Sequence, residues 1–341
     1  MGKESEGEGK LTQLDRSIKI LVDEPTASAT EGIEPSTERI HRLHGTSLIH
    51  DASTLLSLGA STFATACTIF HRFCHQCSLY DYDVWSVAAA SILLAIKIEE
   101  EPYAMKGIIH VFAHLYRKRI MLATTETPDQ VKSHPLGASL PAASTLSLEE
   151  KHQRMGKVPL PSKLGPVYKE WHSRISKMEA IVLRQLGFTL YWIPDSHPHK
   201  FIACIYDALE LTDVKLAQRA WEYCNDSYRL DLCVRFPSEV IATSAFFLAS
   251  CDLKITLPTN PTPWWEYLVG KGKEKDISSI TNVLLGLQSA QDGSTFNNDM
   301  MLASLGFVKT IQKTKGETMS SFNGVGSFLW DHQSEVFAKE M

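Results

Sequence analysis

A chain of 341 residues, 44% hydrophobic and 21% charged, is long enough for two domains of ordinary size and has the composition of a soluble protein. Its formal net charge of -5 supplies no basic field over the whole chain, which argues against non-specific nucleic-acid binding. No window reaches the roughly 18 uninterrupted apolar residues of a membrane span, the acid-rich start MGKESEGEGK lacks the apolar core of a signal peptide, and Glu6 stands where a myristoylation signal has Ser or Thr. The seven cysteines are irregularly spaced, most of them inside apolar helical patterns, and read as reduced core residues of an intracellular protein.

In chain order, residues 1–40 are polar and acid-rich and read as a disordered segment, apart from the apolar patch Ile18 to Val22. Between His50 and Cys74, Leu55, Leu58, Phe63, Ala66, Ile69, Phe70 and Phe73 recur at helical spacing and predict one or two helices. Val84 to Ile98 is apolar on nearly every side, the pattern of a helix covered by other helices all round. Ala88, Ala89, Ala90 and Ser91 let neighbours approach closely, while Ile92, Leu93 and Leu94 fill the space between them. The helix ends with Lys97, then Glu99, Glu100 and Glu101, and Pro102 stops it. Carboxylates there face the negative end of the helix dipole, each disfavoured by about 0.3 to 1 kcal/mol where exposed, so the helix itself gives no reason for them.

Beyond Pro102 an amphipathic helix places Ile108, Val111, Phe112 and Leu115 on one face and closes on Arg117, Lys118 and Arg119, cations at the end that favours them. Residues 121–163 hold five prolines and many Thr and Ser without a sustained period, and read as an insertion. Trp171, Ile175, Met178, Val182 and Leu186 then trace one helical stripe, with Gly187 at the left-handed closing position and Phe188 as its apolar partner. On this helix Glu179 has Ile175, Ser176, Val182 and Leu183 at its neighbouring turns, so its partner is solvent or lies elsewhere in the fold. Pro194 and Pro198 mark a linker in which His197 and His199 are expected to face water.

Two more helices follow, His199 to Leu209 and Val214 to Tyr228. IATSAFFLASC, Ile241 to Cys251, then repeats the order of VAAASILLAIK, Val87 to Lys97, with Pro237 in its first turn. Lys97 lies over Cys251 in that alignment, so the charged feature belongs to one repeat only. Trp264, Trp265 and Tyr267 are expected as core aromatics of a short helix, Ile277 to Leu287 as a final amphipathic helix, and the tail to Met341 as loosely ordered.

The runs VAAASILLAIKIEE, IIHVFAHLYRKR, MEAIVLRQLGF and WEYCNDSYRLDLCVRFPSEVIATSAFFLAS resemble the two boxes of a cyclin. Asn225-Asp226-Ser227 and Val234-Arg235-Phe236 are most similar to the cyclin-L branch of the transcription-associated cyclins, with cyclins K and T near. The resemblance covers roughly Leu48 to Leu287 and implies an all-α fold of two tandem cyclin boxes of about five helices each. The first box would span 41–192 and include the insertion, the second 193–290, with a tail at 291–341.

It further implies a regulatory subunit with no chemistry, cofactor or metal of its own, whose partner is a cyclin-dependent Ser/Thr kinase catalytic subunit. RNA polymerase II or the splicing machinery would be reached through that kinase, in the nucleus, with no membrane and no direct nucleic acid. Two family positions match: the lysine of the core helix falls on Lys97 and the glutamate of the fifth helix on Glu179, a pair that in the family contacts the kinase near the start of its C-helix. Glu99, Glu100, Tyr103, Ile108 and Phe112 would surround it, although Ile108 and Phe112 also sit on the core face of their helix. Two departures stand out: the tail is not Arg-Ser-rich, and Tyr103-Ala104-Met105-Lys106 follows the acid run where the family has basic residues.

Other readings are weaker. His71, Cys74, His75 and Cys77 include one CxxC, but no second ligand pair completes a zinc site. A general transcription factor of the TFIIB type would need a zinc ribbon and basic groove-contacting surfaces. A helical scaffold with the same fold would bind partners without activating them.

Overall fold

The computed structural model describes residues 24–123, 163, 165–259, 261–289, 310–314 and 317–321. Twelve helices form the body among these residues: α1 (Ala27–Thr30), α2 (Pro35–Leu56), α3 (Ala60–Gln76), α4 (Val84–Ile98), α5 (Met105–Ala123), α6 (Pro166–Gln185), α7 (His199–Ala208), α8 (Val214–Ser227), α9 (Leu232–Arg235), α10 (Ser238–Asp252), α11 (Trp264–Val269) and α12 (Glu274–Ser289). A short antiparallel pair, β1 (Thr310–Thr314) and β2 (Glu317–Ser321), sets Thr310 opposite Ser321 and lies outside that body in sequence. The apolar patch at 18–22, residues 124–162 of the expected insertion and most of the expected tail fall outside the described residues.

Apolar side chains gather into two cores. Helix α4 lies at the centre of the first, packed against α2, α3, α5 and α6, and α10 at the centre of the second, packed against α7, α8, α11 and α12. These are the two runs aligned by the sequence repeat, and both helices are buried along nearly their whole length. Asp83 caps α4 by accepting the Ser86 amide at 2.9 Å. Each core also takes side chains from the other half of the chain: Tyr228, just after α8, is buried in the first, with Cys233 packed against that core, and Leu43 of α2 is buried in the second.

Several expectations need correction. Residues 24–40, part of the segment expected to be disordered, hold α1 and the start of α2, because they are fastened by polar bonds that leave no apolar period. Thr26 caps α1 and donates to Glu38 at 2.6 Å, Ser28 accepts the Leu79 amide at 3.1 Å, and Glu31 accepts from Ser78 at 2.8 Å. Helix α5 runs on to Ala123, so Arg117 is not in its last turn, and that side chain is buried. Tyr267 is exposed, while Trp264 alone of the three aromatics near α11 is fully in the core. His197 and His199 do not face water; they are 3% and 7% exposed, at the seam between the two cores.

Candidate partner-binding site

The end of α4 explains its own acids once its neighbour is considered. The Glu99 amide returns to Ala95 O at 2.9 Å and the Glu101 amide to Ile96 O at 3.0 Å, which places Glu100 at the left-handed closing position, φ 55°. Glycine normally fills that position, because a Cβ there costs about 1 to 2 kcal/mol. The turn sets two of the carboxylates on the N-terminus of α3. Glu101 accepts the Gly59 amide at 2.9 Å and the Thr62 hydroxyl at 2.7 Å; Glu99 accepts Ser61 at 2.6 Å and Thr65 at 2.5 Å. The dipole that favours these charges is therefore that of α3, not that of their own helix. Glu100 is left exposed.

Lys97 and Glu179 form an ion pair between α4 and α6. This answers the question left by the absence of a cation around Glu179 on α6. The Lys97 side chain is 57% exposed and that of Glu179 15%, so the pair presents its cation outward. Such a pair contributes little stability where half exposed, about 0 to 1 kcal/mol. A second cross-link, missed in the sequence, ties the other end of α4 to α6: Arg174 donates to Asp83 Oδ2 at 3.0 Å, and both side chains are buried. The N-cap aspartate is a sequence signal for α4, but its cation lies 91 positions away and no local rule finds it.

Around the pair, Tyr103 is 40% exposed, and its ring lies so close over Gly107 that a Cβ there would meet the ring at 2.3 Å. Ile108 and Phe112 are fully buried and have no surface to offer a partner; they belong to the first core. Glu99 is held by α3, as described, and is only partly accessible. The structure thus brings Lys97, Glu179 and Glu100 together on one end of the first core and withdraws Ile108 and Phe112 from it.

Phe188 and Tyr191 were not singled out in the sequence as contact residues. The chain closes α6 with two left-handed residues in succession, Gly187 at φ 64° and Phe188 at φ 58°. Phe188 was expected to fold back as an apolar partner, yet its side chain is 70% exposed, and that of Tyr191 is 77% exposed. A bulky residue at positive φ with its ring in water is strained and gains nothing from burial within this chain. The sequence signal available was the aromatic placed directly after a closing glycine. This end of the first core thus presents the exposed Lys97 and Glu100 together with exposed aromatics. His71 and Cys74, from the weighed metal set, are buried, and the His71 ring contacts the Tyr228 carbonyl at 3.0 Å.

Comparison with known proteins identifies the class. Residues 24–127 match the model of the cyclin N-terminal domain, and the chain belongs to the cyclin family. Within that family it is similar to cyclin-L. It is 33% identical over 256 residues to Cyclin-L1-1 of Arabidopsis thaliana, covering 75% of this chain and 51% of that one. It is 32% identical over 252 residues to Cyclin-L1 of Homo sapiens, covering 74% and 40%, and 32% identical over 263 residues to Cyclin-L1 of Gallus gallus, covering 77% and 42%. The chain therefore spans about half or less of the length of these relatives. In fold it is similar to a chain in the crystal structure of the yeast RNA Pol II CTD kinase CTDK-1 complex, with a TM-score of 0.51, 13% identity, and coverage of 95% of this chain and 85% of that one. No described helix is long and apolar enough to cross a membrane.

Proposed function

We propose that this chain is the regulatory subunit of a cyclin-dependent Ser/Thr kinase of the transcriptional, L-like type, acting in the nucleus and carrying out no chemistry itself. The observation that carries the reading is the outward Lys97 paired with Glu179, on the end of the cyclin fold where Glu100 and Tyr103 are also exposed. A kinase alternates between an inactive form and one in which its C-helix glutamate reaches the ATP-site lysine. A subunit that binds only the second form shifts the equilibrium toward it by the difference in affinity. Here Lys97 meets a carboxylate or carbonyl near the start of that C-helix, Glu179 holds the lysine in place, and Phe188 and Tyr191 supply apolar area. Substrates would be the RNA polymerase II C-terminal repeat or splicing factors.

The test is a pull-down of the tagged chain from its own cells, wild type beside the double variant Lys97→Glu/Glu179→Lys, with eluates assayed on a C-terminal-repeat peptide. The swap preserves an ion pair between α4 and α6 and reverses the charge shown to the partner. The expected outcome is a kinase recovered by the wild type and lost, by at least about tenfold, with the folded variant. Equal recovery by both would remove Lys97 and Glu179 from the interface; no kinase in either eluate would sink the cyclin reading as a function. A promoter-binding role of the TFIIB type has less support, since Arg117, the first cation of the densest basic run, is buried.

A further inference from the structure

At the seam between the two cores runs a chain of hydrogen bonds whose directions can be worked out. Thr65 Oγ1 lies 2.5 Å from Glu99 Oε1 and 2.8 Å from His197 Nε2. A hydroxyl has one hydrogen, and a carboxylate only accepts, so Thr65 donates to Glu99 and must accept from His197 Nε2–H. The imidazole is then the Nε2–H tautomer, with a bare Nδ1, and the Tyr228 hydroxyl 2.9 Å away donates to it. Direction therefore runs from Tyr228 through His197 and Thr65 to Glu99.

Both ends of this chain matter. Tyr228 is 1% exposed and fixed on several sides: His199 stacks parallel to it at 5.8 Å, Phe63 meets its edge at 6.1 Å, and its carbonyl lies 3.0 Å from His71 Nε2. At the other end, Glu99 is part of the turn that carries Lys97 and Glu100. Burial disfavours the charged imidazole most strongly, and it outweighs the attraction of Glu99, so His197 stays neutral and the tautomer is kept.

We propose that His197 is a positioning residue: through Thr65 it holds Glu99 on α3, and so lets the second half of the chain set the acid turn from which Lys97 and Glu100 reach the partner. This rests on the reading that Lys97 meets a kinase, but its structural half can be measured without one.

The experiment uses the full chain with His197→Phe, His197→Gln and Tyr228→Phe. Gln places an N–H donor near the position of Nε2, Phe removes both polar atoms, and Tyr228→Phe removes the hydroxyl that donates to Nδ1, and its bond with Thr68, while keeping the packed ring. Long-range proton–nitrogen spectra of histidine-labelled protein are expected to show a neutral Nε2–H ring that vanishes in His197→Gln; in Tyr228→Phe the ring keeps Nε2–H, because Thr65 still requires it, and only the Nδ1 resonance moves. Hydrogen exchange at amides 59–62 and 99–101 is expected to rise by about tenfold in His197→Phe and return toward wild type in His197→Gln, the effect of one hydrogen bond to a charged group. With the kinase recovered by the wild-type chain, affinity is expected to fall about tenfold in His197→Phe, with Gln rescuing.

An Nδ1–H ring, or unchanged exchange in His197→Phe, overturns the proposal whatever the kinase does. So does unchanged kinase affinity in a folded His197→Phe. If His197→Phe does not fold, Tyr228→Phe decides through tautomer and exchange. The expected spectra and exchange with no kinase recovered would refute the kinase reading and leave His197 in place as the residue that sets the turn.

Discussion

Three consecutive glutamates at one helix end divide into different tasks, and single substitutions separate them. Glu101 accepts a backbone amide and a hydroxyl at the start of α3. Glu101→Ala is expected to lower stability by about 1 to 2 kcal/mol, the usual effect of losing a helix cap, seen as a lower midpoint in urea. Glu100 has no such acceptor role and holds a backbone conformation that suits glycine, φ 55°. Glu100→Gly is expected to raise stability by up to about 1 kcal/mol and to weaken kinase binding. A variant that is more stable and binds less well would show that the strain is kept for the contact; one that loses stability would refute the account of the turn. The acids were visible in the sequence, but their reason was not: a dipole argument applied to α4 alone has the wrong sign, and only the position of α3 supplies the right one.

At the scale of the elements, what the sequence made plain is what local periodicity controls. The core helices α4 and α10, the stripe of α6 and the tandem relation between the two halves all follow from apolar spacing. The start of α2 did not, because its first turns are buried on polar side chains. Arg42 pairs with Glu38 at 2.7 Å and reaches the His71 carbonyl at 3.3 Å, so a helix face that reads as soluble lies inside. The site divided along the same line: Lys97 and Glu179 were found through resemblance, while Asp83 with Arg174 and the seam at His197 depend on partners far away in the chain. Close approach of α2 and α3 offers a direct test of the packing. A Cβ on Gly45 would meet the Phe70 ring at 2.1 Å, and Phe70 is fully buried. Alanine there gains about 1 kcal/mol of helix propensity and incurs about 1 to 3 kcal/mol of overpacking, so Gly45→Ala is expected to destabilise. Gly286 in α12 has open space beside it, and Gly286→Ala is expected to stabilise by about 0.5 to 1 kcal/mol. Chemical denaturation of the two variants should give shifts of opposite sign; two shifts of the same sign would show that the α2–α3 contact is looser than described.

For the whole molecule, the two halves are joined by groups that resist protonation, and this gives the fold a direction of response to acid. His71, His75 and His197 are each pushed from 6.5 to about 4, first of all by burial. Arg42 acts in the same sense on His71 and His75, and His199 and Lys200 on His197, while Asp231 opposes it at the first two and Glu99 at the third. The unfolded chain takes these protons near pH 6.5, and the folded chain does not until about pH 4. Stability from this source is therefore complete above pH 6.5, falls as pH drops from 6.5 to 4, and changes no further below that. Each imidazole contributes a slope of about 1.4 kcal/mol per pH unit within the window. Asp231 adds a later loss: burial raises its pKa, but Arg42 and Arg235 outweigh it and hold the carboxyl below the usual range, so its contribution is lost at still lower pH. Two of the three imidazoles touch Tyr228, His71 at its carbonyl and His197 at its hydroxyl, so acid acts first where the second half of the chain is pinned to the first. Urea midpoints measured at pH 7.5, 6 and 5 are expected to decline steadily, with a shallower decline in His197→Gln because one of the three titrating rings is gone. A midpoint that does not change between pH 7.5 and 5 would mean that these histidines are solvated, and that the seam is open in solution.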